Sequence, residues 1–200
     1  LVANCFEQAL AQAERVDSSR AKGEHLSPWA GVPCTIKECF ALEGMPNSAG
    51  LLSRKELRSA HTALAVQRLL DAGFIPLGLS NLSELCMWME SSNYVYGRTN
   101  NPYDLSRTVG GSSGGEGALV ASACSPIGLG SDIGGSIRMP AFFNGIFGHK
   151  STAGIIPNDG QFPNARPAAQ SFLCTGPLAR TAKDIWETFL VLSGRPLRPL

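Results

Sequence analysis

The sequence predicts an α/β fold with a largely buried sheet. Two observations carry that expectation: short apolar runs of strand length, and helical-period segments that alternate with them. Glycine-rich turns join the two kinds of segment. Hydrophobic residues make up 44% of the 200 and charged residues 16%, below the roughly 25% charge of an average globular domain. The chain is therefore apolar enough to bury a core, and it lacks the high-charge, low-hydrophobicity signature of disorder. Lys and Arg number 17 against 16 Asp and Glu, a net charge of +1. That balance excludes the basic footprint of a dedicated nucleic-acid binder, and equally an acidic tail.

Taken in order, residues 2–14 place Val2, Phe6, Ala9, Leu10 and Ala13 on one face, an amphipathic helix. The polar stretch from Asp17 to Ser27 is expected as a loop. Gly31 to Ile36 is a short buried strand with Lys37 at its end, followed by the turn-rich Glu43–Ser48. Ala60 to Ala72 is a helix carrying Leu64, Leu69 and Leu70, with Gly73 as its stop. Phe74 to Leu79 is a second strand, in which Pro76 argues mildly against a central position. Asn81, with Glu84 three residues on, suggests a variant capping box opening a short helix through Met87 and Trp88. Ser113 to Cys124 begins rich in glycine and becomes rich in Ala, Leu and Val, a helix packed close to its neighbour. Ile127 to Gly130 is a strand leading into another glycine turn. Thr181 and Asp184 cap a last helix with Ile185, Phe189 and Leu192, which Gly194 ends.

No run approaches the ~18 apolar residues of a transmembrane helix, and no signal peptide opens the chain. The chain starts at Leu1 rather than Met and is expected to be a piece of a longer protein. Cys5, Cys34, Cys39, Cys86, Cys124 and Cys174 form no C-x-x-C pair, and their wide spacing suits neither zinc nor a disulfide scaffold. They are expected as buried, reduced thiols of a cytosol-facing protein. Neither a metal nor a cofactor is called for.

The densest chemical signal is Gly110-Gly111-Ser112-Ser113-Gly114-Gly115 followed by Gly130-Ser131-Asp132-Ile133-Gly134-Gly135-Ser136-Ile137-Arg138. Glycine lets backbone approach a ligand and can turn successive N–H groups to one concave side, which makes an oxyanion hole if they face a carbonyl oxygen. Two tight turns with bystander serines would explain either loop alone. A phosphate-binding P-loop needs a lysine directly after its last glycine, and neither loop has one. Gly110-x-Ser112-x-Gly114 and Gly111-x-Ser113-x-Gly115 match a nucleophile elbow by letter, with Asp132 and His149 following in order, but no clear strand leads into Ser112. A serine nucleophile without histidine takes lysine as its base. Such a lysine has to be neutral, which burial or a neighbouring positive charge achieves. Lys37, just past an apolar run, is the candidate, although most lysines are solvated.

On these residues the chain resembles the amidase signature family of serine hydrolases. The likeness lies in Gly31–Glu38, in the run from Gly110 to Lys150, and in Thr175-Gly176-Pro177-Leu178-Ala179-Arg180. Glu84–Trp88, Tyr96–Asp104 and Arg138–Gly145 narrow it to the branch that acts on fatty-acid amides. The resemblance implies the amidase signature fold, a mixed twisted sheet covered by helices, with one partial domain over 1–200 and its catalytic core at about 31–150. It implies a Ser-Ser-Lys triad: Ser136 as acyl nucleophile, Ser112 as relay and Lys37 as base. The N–H groups of Ile133, Gly134, Gly135 and Ser136 would form the oxyanion hole, so that Gly134→Val is expected to lower activity without touching the triad. Asp132 and Arg138, with Ser113, would support the loop, and Cys86 and Met87 would line the acyl entrance. The expected substrate is a lipid amide, either a primary amide or an N-acylethanolamine, with no nucleic-acid partner. Membrane or lipid-droplet association would come from segments outside this chain, and a homodimer is compatible with the family. Two other functions stay open: the glutamine-hydrolysing subunit of a tRNA-dependent amidotransferase, and a truncated, non-catalytic acyl-binding product. His149-Lys150-Ser151 departs from the family's usual Gly-x-Lys-Pro, a change expected to alter turn rigidity only.

Overall fold

The computed structural model describes residues 1–195. Its elements are β1 (Ala3–Asn4), α1 (Phe6–Ala21), β2 (Pro33–Lys37), α2 (Leu64–Asp71), β3 (Ile75–Ser80), β4 (Ser92–Asn93), β5 (Gly97–Arg98), α3 (Gly114–Ala121), β6 (Ile127–Asp132), α4 (Arg138–Phe143), β7 (Phe147–Gly148), α5 (Pro167–Gln170), β8 (Cys174–Ala179) and α6 (Ala182–Ser193). Six strands make a mixed sheet in the order β1-β3-β2-β6-β8-β7, and β4 pairs with β5 apart from it. The centre, β3-β2-β6, is parallel, while β1, β8 and β7 add antiparallel strands at its flanks. The α/β class expected from the sequence is the observed one.

Strand alternation sorts the two faces of this sheet. Cys34 and Ile36 of β2, Ile127 and Leu129 of β6, and Ala179 of β8 join Val66 and Leu69 of α2 and Phe189, Leu190 and Leu192 of α6 in the larger core. The intervening residues, Thr35 and Lys37 of β2 and Gly128 of β6, face α3 instead. There the sheet is nearly stripped of bulk. A Cβ on Gly128 would collide with the Glu116 carboxylate, and one on Gly115 would come within 2.5 Å of the Asn81 backbone. Close approach of helix and sheet, rather than a special dihedral, accounts for glycine at both positions.

Several boundaries differ from the sequence expectation, each for a local reason. Helix α1 runs on to Ala21, through the Asp17–Ser19 stretch expected as loop, because Ala, Glu, Gln and Arg before it and Arg20 and Ala21 after it favour helix, and carrying an existing helix through three weaker formers costs little. Val2 precedes the helix, and its amide donates to Leu79 O. The helical phase set from Val2 is thus displaced: Ala9 is buried, whereas Phe6 and Leu10 are 48% and 66% exposed. Helix α2 starts at Leu64, not Ala60, since Ser59 and Ala63 donate their amides to Met45 and Ala41. Pro76 does lie in an inner strand. The register slips between Cys34 and Thr35, so that Leu77 has no partner on β2, and β1 pairs only with Gly78 and Leu79. The Asn81 capping box does not form. Asn81 instead binds Gly97, Thr99, Leu82 and Asn93, and only a single 3₁₀ turn spans Glu84–Cys86. Strand β8, buried throughout, is absent from the sequence expectation. By contrast α6 has the expected ends: Thr181 Oγ1 accepts the Asp184 amide at 3.1 Å, and Gly194 closes it at φ +68°. All six cysteines are free, but Cys124 is exposed and Cys86 half-buried, against the expectation that all are buried.

Beneath the site, Glu116 of α3 is fully buried. Its Oε2 accepts Thr35 Oγ1 at 2.6 Å, and its Oε1 has no partner among the described residues. Burial pushes this carboxyl from 4.5 up to about 7, against the pull of the Thr35 hydrogen bond. Between those two values the unfolded chain releases a proton that the folded chain keeps. This contribution to stability is complete below pH 4.5 and lost as pH rises towards 7. Urea midpoints of the wild type and Glu116→Gln, compared at pH 5 and pH 8, are expected to diverge in favour of the variant at pH 8. The difference should reach up to about 3 kcal/mol; parallel shifts in the two proteins would refute the assignment.

Candidate active site

Lys37 ends β2 on the face turned to α3 and is fully buried. Its Nζ donates to Ser112 Oγ at 2.6 Å and to Ser131 Oγ at 3.1 Å. No ion pair among the described residues involves it. The hydroxyls come from two other elements: Ser112 from the loop before α3 and Ser131 from the end of β6. Ser112 is fully buried, and its loop is tied down by Ser91, whose Oγ donates to Gly110 O at 3.0 Å and accepts the Gly114 amide at 2.8 Å. Ser113 supports the same corner, with its Oγ on Ser131 O at 3.3 Å and its amide on Ser136 O at 3.1 Å.

Asp132 organises the turn that carries Ser136. Its Oδ1 accepts the Gly135 amide at 2.7 Å and its Oδ2 the Ile137 amide at 3.0 Å, while Arg138 contacts both oxygens at 3.0 Å through Nη2 and Nε. Burial alone would raise this carboxyl. The hydrogen bonds from Arg138 and from the Ile137, Gly135 and Arg138 amides outweigh it and hold the group below the usual carboxylate range. The Gly135 N–H, one of the four oxyanion donors expected from the sequence, is thus already committed to Asp132. The amides of Ile133, Gly134 and Ser136 have no acceptor among the described residues.

Lys150 braces the turn from behind through Asp132 O at 3.2 Å and Phe172 O. Where the family's proline is missing, Ser151 is buried with its Oγ on Thr175 O at 3.3 Å.

Ser136 is half-buried and opens, together with Ser112 and Ser131, onto a cavity of about 580 Å³. Its wall is mainly apolar and includes Leu85, Cys86, Met87, Ile133, Phe162 and Leu173. The structure therefore brings Ser112 and Ser136 to one cavity that Cys86 and Met87 also line, with Lys37 hydrogen-bonded behind Ser112. Lys37 and Ser112 are hydrogen-bonded directly; no hydrogen bond links Ser112 to Ser136. Catalytic contacts are commonly loose before substrate arrives. His149 takes no part: it is exposed and stands edge-on to Phe189 at 5.2 Å between ring centroids.

Sequence reasoning assigns no site role to Ser131, Cys39, Gln161 or Glu38. Glu38 is fully buried, accepting the Ser48 amide at 2.6 Å, Ser48 Oγ at 2.7 Å, the Ala49 amide at 2.8 Å and Tyr96 Oη at 2.8 Å. An acid directly after a buried strand was the available signal. Among the described residues no group of three or more His, Cys, Asp and Glu side chains is placed to hold a metal, and no helix is long and apolar enough to cross a membrane.

Known proteins resemble the chain along nearly its whole length. The chain is 55% identical over 202 aligned residues to fatty-acid amide hydrolase 2 of Homo sapiens, covering 98% of the chain and 38% of that protein. It is 39% identical over 188 residues to a glutamyl-tRNA(Gln) amidotransferase subunit of Natranaerobius thermophilus, covering 94% and 38% respectively. A solved crystal structure of an amidase superposes with a TM-score of 0.88 at 33% identity, covering 98% of the chain and 45% of that structure. The chain thus spans about two-fifths of the length of the curated relatives it matches. The Amidase family profile matches residues 1–198, and with these relatives it shows that the chain belongs to the amidase family.

Proposed function

We propose that the protein is a serine amidase that hydrolyses fatty-acid amides, primary amides or N-acylethanolamines, through an acyl-enzyme on Ser136. The observation that carries this reading is the 2.6 Å contact between the buried Lys37 amine and Ser112 Oγ, where Ser112 lines a cavity that Ser136 shares. In the reaction, the Lys37 amine takes the proton of Ser112 as Ser112 takes that of Ser136, and Ser136 Oγ attacks the amide carbon. The developing oxyanion is received by the free amides of Ile133, Gly134 and Ser136. The proton then returns through Ser112 to the leaving nitrogen, and water releases the acyl group by the same relay. Asp132 and Arg138 touch no reacting atom. They hold the turn so that its N–H groups need no rearrangement.

The fatty-acid preference rests on the apolar cavity wall and on the 55% identity to fatty-acid amide hydrolase 2. Glutamine hydrolysis, suggested by the amidotransferase relative, could use the same triad; the apolar wall of Leu85, Met87, Ile133 and Phe162 favours an acyl chain, whereas a polar head would have to bind at Gln161, Asn164 and Arg166 of the same cavity.

Two measurements test the assignment. A fluorophosphonate probe on the full-length protein, followed by peptide mapping, is expected to modify Ser136 and to leave Lys37→Ala unmodified. Lys37→Ala should also lose roughly 10²–10⁴-fold in turnover of a long-chain primary amide. An adduct on Ser112 or Ser113 would overturn this division of roles, and no adduct would favour a non-catalytic acyl-binding protein. The two loop glycines, treated alike from sequence, should separate. Gly135 sits at φ +128° with Met139 Cε 3.0 Å from any added Cβ, whereas a Cβ on Gly134 meets open space. Gly135→Ala is therefore expected to lower kcat by about tenfold or more and Gly134→Ala far less. Equal losses would show that the turn's backbone is not the constraint.

A further inference from the structure

Gln161 stands where two cavities adjoin, and the relay from Lys37 to Ser136 does not use it. It lines the apolar cavity that Ser112 and Ser136 share, and also a second one of about 490 Å³ with Asn158, Asp159, Asn164 and Gln170 on its wall. Its backbone is strapped to the segment that follows Lys37. Gln161 forms an antiparallel bridge with Phe40, the Phe162 amide donates to Cys39 O at 2.8 Å, and the Ala41 amide donates to Gly160 O at 2.8 Å. The residue is 7% exposed, so its side chain has little room to swing.

The direction of that side chain follows from a chain of hydrogen bonds with one solution. Leu173 O only accepts, so the group facing it at 3.0 Å is Asn158 Nδ2, which turns Asn158 Oδ1 the other way. That oxygen takes the Thr175 hydroxyl proton at 2.9 Å and one Gln161 Nε2 proton at 3.1 Å. With its own proton given to Asn158, Thr175 Oγ1 accepts the second Nε2 proton at 2.8 Å. Both amide protons of Gln161 are therefore committed. Turning the amide over would set Oε1 against Asn158 Oδ1, two acceptors face to face. What remains is Gln161 Oε1, which has no partner among the described residues and is not sealed from solvent, so it opens onto the cavities the residue lines.

A lone acceptor beside an apolar wall selects for a hydrogen-bond donor, because a ligand without one leaves it stripped of water and unpaired. A hydrocarbon chain has no donor. Those of a fatty-acid amide all lie on the nitrogen side: the amide N–H and, in an ethanolamide, the terminal hydroxyl. We propose that Gln161 Oε1 is the specificity-determining acceptor for this donor-bearing side of the substrate, and that it selects amides over esters of the same acyl chain. The inference rests on the amidase reading and names which half of the substrate Gln161 meets. The head then lies where the two cavities adjoin, and the acyl chain runs along Leu85, Met87 and Ile133.

The test measures kcat/KM of the full-length protein for substrates with one acyl chain: oleamide, N-oleoylethanolamine, its O-methyl ether, and 2-methoxyethyl oleate, an ester of similar shape with no donor. From wild type to Gln161→Leu, the ratio of each amide to the ester is expected to fall about 10–100-fold. A drop of about tenfold from the ethanolamide to its ether in the wild type would assign the hydroxyl as the donor. Equal rates for that pair, with the Gln161→Leu loss kept, would assign the amide N–H. Losses that are equal for amides and ester, as from a water held for deacylation or from a collapsed site, would overturn the proposal, and so would no loss at all. A second measurement leaves Gln161 in place and needs no turnover. Ser136→Ala is expected to bind N-oleoylethanolamine about tenfold more tightly than 2-methoxyethyl oleate, and equal Kd values would overturn the proposal even if Gln161→Leu fails to fold. Wild-type protein that hydrolyses none of the substrates would sink the amidase reading, and the Ser136→Ala affinities would still decide the acceptor.

Discussion

An amine removed from water without an ionic partner is the constraint on which this structure turns. Lys37 can remain buried only because Ser112 and Ser131 satisfy it, and those hydroxyls belong to different elements. The parallel β2–β6 pairing brings Ser131 alongside, and the close seating of α3 on bare glycine positions of the sheet brings Ser112 down from above. Larger residues on that sheet face would lift the helix and open the contact to water. The near absence of side chains under α3 and the presence of a lysine there are two sides of one arrangement.

Three buried carboxyl groups surround this amine, and their environments divide the work. Asp132 has its oxygens filled by three amides and a guanidinium, which makes it a permanent anion that shapes a turn. Glu38 is similarly saturated by hydroxyl and amide donors and locks the Ser48–Ala49 segment against the strand end. Glu116 has one strong donor and one oxygen with no partner among the described residues, and burial pushes it up to about 7. Its protonated form spaces helix from sheet without placing a negative charge under the lysine. Identical chemistry therefore serves as anchor or as filler according to how many donors reach it.

Much of this was legible in the sequence where the signal was local. The α6 ends, the β2 run closing on Lys37 and the glycine loops bearing Ser112 and Ser136 each rest on residues adjacent along the chain. Tertiary partners decided what was not legible. The phase of α1 could not be set from Val2, because Val2 belongs to a strand edge that only β3 creates. Asn81 carries the letters of a cap, yet the β4–β5 hairpin claims its side chain. Leu85 and Cys86 give no sign of left-handed backbone, which neither residue type favours; the contact with Ala49 imposes it. Strand β8, with Gly176 and Pro177 at its middle, has the composition of a turn and becomes a strand only between β6 and β7.

The order of strands also sets a timetable for synthesis. Strands β2 and β3 leave the ribosome within one stretch of chain and can pair at once, but β6, which covers the other edge of β2, follows much later. The Lys37–Ser131 hydrogen bond spans 94 residues, and at about 5–20 residues per second the gap is roughly 5–20 s. Throughout that interval the nascent protein carries an open, apolar strand edge with a lysine at its tip. The amine that is finally removed from water is, until β6 arrives, a solvated guard on the edge most prone to pair with the wrong chain.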